Sequence, residues 1–450
     1  MRFGEWGRRI VPAVAIGTFV AATGVAAQQP SDTVRAEVEA LKRRVEALEL
    51  QLAEQRALLE RQALVAMEAD ALGEKGAEGE GVAVDPRQRL VSGIYGRPFV
   101  RRFGRGTALG GYVDLELEAD LDSDDVDFDL HRFIPFIFAE ITERIHFGTE
   151  LEFEHGAEEI KIEFASLDVA FQEWLNVRGG IVLSPLGKFN LIHDSPVNDL
   201  TERPLVNRTI IPTTLSEAGL GVFGTLYPSE LSVLTYEAYV VNGFDEGLVY
   251  DADAGALRAG PDVRAGRGSQ GSDNNANKAL VARLGYSPVL GLEVGGSIHT
   301  GGYAPRGGLV VGTTELLSGD ERLTILALDG IYNRGPFEVL GEYARSSLDA
   351  PVGAPAAFAT AQQGYYLQGN YHFGHGLVPY FDGSIFTAVA RWDDVDHDTG
   401  RDGLGARRLT FGLNWRPVEE TVFKLDLLND WTLAADTGER SAARRRLFFS

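Results

Sequence analysis

From residue 110 onward, apolar and polar positions alternate. In GYVDLELEADL, Val113, Leu115, Leu117, Ala119 and Leu121 fall on one face, and Tyr112, Asp114, Glu116, Glu118 and Asp120 on the other. IHFGTELEFEH repeats the pattern, with Ile145, Phe147, Thr149, Leu151 and Phe153 against His146, Gly148, Glu150, Glu152 and Glu154. Strand-like runs recur near 111–121, 126–141, 145–155, 159–171, 176–184, 217–226, 231–242 and 278–286. They continue near 291–301, 321–332, 336–346, 362–373, 377–391, 405–416, 420–431 and 440–449, sixteen in all. Ten-residue strands exceed the usual five or six of globular sheets and match what a strand tilted by about 45° needs to cross a bilayer. Connections alternate in length. TER, YPSE, SPVLG, NRGP and PVEE make tight turns, whereas 185–216, 243–277, 302–320, 347–361 and 392–404 are long. An even strand number, tight turns on one rim and long loops on the other predict an all-β, 16-stranded antiparallel transmembrane β-barrel over 110–450. Trp174, Tyr227, Tyr303, Tyr343, Trp392, Trp415 and Trp431 lie near strand ends, where interfacial girdles are expected.

Ahead of residue 110 the period changes. Val38, Val45, Leu52, Leu59 and Ala66 recur every seven residues, as do Val34, Leu41, Leu48, Gln55 and Gln62. This a/d seam predicts a short coiled-coil helix over 32–70, followed by a linker over 71–109 rich in Gly, Glu and Ala. Arg2, Arg8 and Arg9 precede an apolar stretch from Ile10 to Val25 that ends in Ala26-Ala27, so residues 1–27 read as a signal peptide. Export then places the coiled coil in the periplasm.

Composition narrows the chemistry. The chain of 450 residues carries 65 acidic against 42 basic side chains, a formal charge of −23, which excludes an electrostatic nucleic-acid binder. The absence of cysteine removes disulfides, thiolate metal sites and thiol catalysis. A face of carboxylates on two long strands would be ruinous in a dry core but suits a water-filled lumen, so Asp114, Glu116, Glu118, Glu150, Glu152 and Glu154 are the pore-lining candidates. The 185–216 loop is ordered by its prolines and apolar residues and is expected to fold into the barrel as a constriction, with His193, Asp194, Asp199, Glu202, Arg203 and Arg208 as its candidate residues.

Other motifs weigh less. Gly219-Leu220-Gly221-Val222-Phe223-Gly224 matches GxGxxG, but it lies inside a strand followed by another strand. Close packing explains it better than a dinucleotide. His193-Asp194-Ser195 supplies the residue types of acyl transfer without the spacing of a triad. Asp394, Asp396 and Asp398, with Gly400 and Asp402, approximate a calcium loop but lack its twelfth-position Glu, and Asp120, Asp122 and Asp124 form a second acidic cluster. Solvated acidic loops are the default for both; divalent bridging to lipopolysaccharide is the alternative. No metal site, cofactor or enzymatic activity is expected.

Ser184-Pro185-Leu186-Gly187, Arg203-Pro204-Leu205-Val206 and the Gly219–Gly224 strand resemble the corresponding elements of the phosphate-selective porin O and P family, whose relatives also carry an N-terminal coiled coil. The resemblance implies a trimeric sixteen-stranded outer-membrane porin, surrounded by lipid and lipopolysaccharide, with its third loop folded inward. That family lines its lumen with lysine, whereas here only Lys161, Lys188, Lys278 and Lys424 fall in the barrel region. The expectation is passive diffusion of small hydrophilic solutes through an acidic lumen that favours cations or neutral solutes over phosphate. The alternative is a non-conducting structural barrel tethered through its coiled coil. A further departure is the last strand, where three Arg precede Leu447-Phe448-Phe449 and Ser450 follows.

Overall fold

The computed structural model describes residues 100–103, 107–123 and 125–450. The predicted signal peptide and coiled coil lie outside these residues, as does Asp124 of the Asp120, Asp122, Asp124 cluster. Sixteen strands follow one another around a closed barrel. They are β1 Thr107–Asp120, β2 Val126–Thr142, β3 Ile145–Glu154, β4 Glu159–Gln172, β5 Leu175–Leu183, β6 Ser216–Ser229, β7 Ser232–Val241 and β8 Ala279–Val289. The second half comprises β9 Leu292–Gly302, β10 Arg322–Arg334, β11 Phe337–Leu348, β12 Ala361–Phe373, β13 Ile385–Asp396, β14 Gly405–Val418, β15 Thr421–Leu433 and β16 Arg444–Phe449. Each strand pairs antiparallel with its neighbours, and β16 returns to β1 with Phe449 opposite Leu117 and Arg446 opposite Asp120.

Closure is shared. The short β16 covers only Leu117–Asp120 of the β1 edge, and Val100–Phe103 pairs with its other end, Val100 opposite Gly110 and Phe103 opposite Thr107. The expected linker therefore ends in strand structure. The Gly110-Gly111 pair of β1 interrupts the alternation that marks the strand further on, which is why the pattern begins late.

The outward face is apolar. Val113, Leu115, Leu284, Leu328, Leu367, Phe411 and Leu425 are all exposed. A water-facing surface of this kind would be an aggregation liability, whereas a lipid-facing band requires it. On the turn side, a row of rings crosses six strands from Phe337 to Tyr371, Phe373, Phe386, Trp415, Phe423 and Phe449, with successive centroids 5.0–6.4 Å apart. Aromatic girdles of this kind flank the apolar band of outer-membrane barrels, with Tyr371 and Trp415 supplying the amphipathic rings. Two of the predicted girdle residues are placed otherwise. Tyr303 is fully buried and donates its hydroxyl to the Asp349 carbonyl, and Trp431 is covered by Trp392 and the Arg440 guanidinium.

Turn lengths follow the expected asymmetry with one exception. Residues 374–384 form an irregular connection rather than the start of a strand at 377. Gly374, Gly376 and Tyr380 adopt left-handed backbone there, and Pro379 has no N–H to donate, so the segment cannot extend a ladder. Strand β13 correspondingly runs to Asp396, which shortens the expected 392–404 loop to 397–404.

The Gly-rich segment of β6 is a packing device. A Cβ on Gly221 would lie 2.0 Å from the Ala238 carbonyl, and one on Gly224 would lie 2.2 Å from the Trp174 carbonyl. Only hydrogen fits at either position.

Candidate functional site

The segment 184–215, between β5 and β6, crosses the barrel interior. Its base is closed by Asn190, whose amide donates to the Ser184 and Leu215 carbonyls while its oxygen accepts from the Leu215 N–H. From there the chain meets wall after wall. Gly187 N–H reaches Ser297 Oγ (2.8 Å), Lys188 pairs with Glu293 (2.7 Å), and Phe189 N–H reaches Glu342 (3.0 Å). Thr201 N–H donates to Asp426 at 2.6 Å and Leu205 N–H to Asp393 at 2.9 Å. The single-turn α1, Val206–Thr209, brings Asn207 onto Glu342 at 2.6 Å. In the other direction, Lys424 and Arg416 donate to the carbonyls of Ser195 and Pro196, each at 2.8 Å.

These contacts have one physical logic. An irregular loop inside a barrel carries backbone donors that must be satisfied. Buried wall carboxylates, chiefly Glu342, Asp393 and Asp426, accept them through charge-assisted bonds. The loop also contributes to a dry cluster: Leu186, Val206, Ile210, Ile211 and Leu215 pack with Phe244, Leu248 and Val263 of the 242–278 loop and with wall residues such as Tyr239 and Ile325.

The six expected lining carboxylates all lie on the interior face but divide into two groups. Asp114, Glu150 and Glu152 are buried, at 6%, 0% and 1% exposure, against Arg132 and the inner loop rather than open to water. Glu116, Glu118 and Glu154 remain partly exposed. The loop residues divide in the same way. His193 is buried, with Nδ1 on the Asn190 carbonyl and Nε2 2.9 Å from Glu163, and Asp194 is buried beside it. Asp199 is an anchor that accepts from Asn370, Asn414 and Arg416. Glu202, Arg203 and Arg208 stay partly accessible.

A chain of opposite charges borders that accessible side. Glu118 pairs with Arg446 (3.0 Å), Arg446 with Asp430 (2.8 Å), Asp430 with Arg408, Arg408 with Glu202 (3.2 Å), and Glu202 with Arg208. Arg203 and Arg264 both donate to the Thr213 carbonyl, and Arg267 donates to that of Thr214. Arg264 lies within electrostatic range of Arg208, Arg267 and, with opposite sign, Glu154. Arg264 of the 242–278 loop is thus near a carboxylate of β3, and Arg208 is linked to Glu118 of β1 only through the chain of alternating charges.

The remaining motifs resolve plainly. Both His193 nitrogens are engaged away from Ser195, so the pair cannot activate a nucleophile. Asp394 is a strand residue paired with Arg407, and Asp398 is paired with Arg401, so the calcium-like spacing does not converge on a point. Asp120 and Asp122 are taken up by Arg444 and Arg445. The wall anchors Glu163, Glu342, Asp393 and Asp426 were not singled out by the sequence. Each is one inward polar position on an alternating strand, and its partner lies 30 to 225 residues away.

No known family's sequence model matches the chain. An uncharacterized protein of Aquifex aeolicus is 27% identical over 347 residues, 72% of this chain and 76% of the relative. Among solved structures, the anion-selective porin from Comamonas acidovorans aligns with a TM-score of 0.49 at 12% identity, over 76% of this chain and 97% of that one. The trimer form of OmpT, an outer membrane protein of Vibrio cholerae, gives 0.47 at 11% identity over 76% and 98%. The outer membrane channel DcaP of Acinetobacter baumannii gives 0.47 at 10% over 78% and 97%.

Proposed function

We propose that this chain is a porin of the bacterial outer membrane, assembled as a homotrimer, through which small hydrophilic solutes and ions diffuse without chemistry. The observation that carries the reading is the 184–215 segment, held across the interior of a lipid-faced barrel by hydrogen bonds to six strands and an ion pair to a seventh. A plain wall would leave a wide bore; an anchored inner loop sets a fixed narrowing. Solutes pass between Arg203, Arg208 and Arg264 on the loop side and Glu116, Glu118 and Glu154 on the wall. Rings of charge at close quarters select by sign, and this transverse arrangement orients dipolar solutes. The carboxylates disfavour phosphate and leave cations and neutral solutes.

The test is single-channel conductance and reversal potential in a planar bilayer under a KCl gradient. The unmodified protein should prefer cations, and Glu116→Gln with Glu118→Gln and Glu154→Gln should weaken that preference. Unchanged selectivity in the triple variant would remove the lining assignment. A second reading rests on the dry cluster that joins the inner loop to the 242–278 loop: a structural barrel, plugged on its outer side. Folded protein that never conducts would favour it.

A further inference from the structure

Three side chains at the loop-side mouth, Asp129, His131 and His155, are used by none of the contacts above, and they lie beside Glu116 of the proposed lining. Strand β2 carries one extra residue where it meets β1. Asp114 lies opposite Arg132 and Glu116 opposite Asp129, so a single β1 residue faces both Leu130 and His131. A bulge re-aims side chains locally, and this one leaves Asp129 and His131 on the same side. On the other edge of β2, Arg132 pairs with Glu154, which puts His155 beside His131.

His155, Gly156 and Ala157 then adopt three successive left-handed conformations, at φ 49°, 66° and 75°. For His and Ala this costs on the order of 1–2 kcal/mol each. The turn delivers the His155 imidazole to Asp129, with Nδ1 2.7 Å from Oδ2. His131 Nδ1 lies 3.4 Å from the same oxygen and 3.9 Å from Glu116 Oε2, and the two imidazoles meet edge-on at 5.4 Å. One ligand atom from each of Asp129, His131 and His155 falls within 4.8 Å of the others.

We propose that Asp129, His131 and His155, with Glu116 as the fourth ligand, form a binding site for a divalent transition metal of the zinc type. Two imidazoles and two carboxylates are a donor set for Zn²⁺; Mg²⁺ and Ca²⁺ require oxygen ligands alone. Tetrahedral bonds of about 2.0–2.1 Å place donors about 3.3 Å apart, within a few tenths of an ångström of the His131–Asp129 separation. All four groups retain access to solvent, His155 most of all. An ion arriving from the loop side meets the site before the narrowing. The site stands independently of conduction, because it consists of wall residues and one turn.

The experiment uses tag-free, full-length protein folded in detergent and freed of metal with a chelator. Zn²⁺ is titrated calorimetrically and Co²⁺ by visible absorption. One equivalent of Zn²⁺ should bind per chain, and Co²⁺ should give the intense bands of four-coordinate nitrogen and oxygen ligation. His131→Gln with His155→Gln should lower Zn²⁺ affinity tenfold or more, a loss that removal of even an outer partner can cause. Asp394→Asn with Asp398→Asn, in the other acidic group, should change nothing. Heat-modifiable migration on gels reports that each variant is folded. Absence of binding to the unmodified protein, equal binding by the histidine double variant, or a weak octahedral Co²⁺ spectrum would each overturn the site.

Discussion

Single residues in this barrel act chiefly as acceptors for a loop that is not their neighbour in sequence. Glu342 is the clearest case: fully desolvated, it accepts the Phe189 N–H through one oxygen and the Asn207 amide through the other. Glu342→Leu would leave two buried donors without partners, at roughly 1–3 kcal/mol each. The expected outcome is a loosened inner loop, read as faster hydrogen exchange over 186–209 and noisier single-channel currents. Glu342→Gln keeps an acceptor oxygen and should lie between the two. Exchange in the Leu variant equal to that of the unmodified protein would show that the loop is held by its apolar packing instead. Such roles are invisible in a one-dimensional pattern. Alternation gives the face of Glu342, but it cannot say that a loop some 150 residues earlier ends on it.

At the scale of elements, the strands and the alternation of turn and loop lengths were legible, and the contacts that the loops make were not. Period-two alternation located all sixteen strands because every barrel wall separates an apolar exterior from a polar interior, a contrast that each strand must display. The pattern failed where backbone geometry overrides it, as in the 374–384 connection, whose residues include an apolar run but also left-handed positions. It also failed to separate carboxylates facing water from those facing the inner loop, since Glu116 and Glu150 have the same sequence signature. The outer loops carry their own titration. In the 242–278 loop, Asp245 caps the turn Glu246–Leu248 by accepting the Gly247 N–H at 3.0 Å. Burial, reinforced by Glu246 and Asp273, pushes its carboxyl up to about 6 against the lowering effect of that N–H. An acid with a folded value above its unfolded value of about 3.9 binds more protons when the loop is ordered, so order is favoured at low pH and lost as pH rises from about 4 through about 6. Leu248 and Val263 anchor the loop in the dry cluster, so the effect should extend to them. Amide exchange over 244–266, corrected for intrinsic rates, should be slower at about pH 5 than at about pH 8. Asp245→Asn, which keeps the cap, should remove the difference.

The whole molecule depends on a closure that strand pairing provides only sparingly. β16 meets β1 over four residue pairs, fewer than any other neighbouring strands in the ring. The three arginines that begin β16 compensate. Arg444 pairs with Asp120, Arg445 with Asp122, and Arg446 with both Glu118 and Asp430. The acidic cluster that the sequence offered as a cation site is thus the counter-charge of the barrel's last strand, a pairing across more than 320 residues. The three are not equivalent. Arg444 and Arg445 sit half-exposed on the rim, where an ion pair contributes little and salt screens it. Arg446 is nearly covered and joins β1, β15 and β16 in one fork, with geometry suited to two carboxylates at once. Arg446→Ala should therefore lower the temperature at which heat-modifiable migration is lost by more than Arg444→Ala and Arg445→Ala together. About 1 M salt should erase the effect of the rim pair while leaving most of the Arg446 effect. If the rim pair proved the more damaging, closure would have to rest on the exposed end of the seam, and the Val100–Phe103 segment would then be the element that keeps β1 in register.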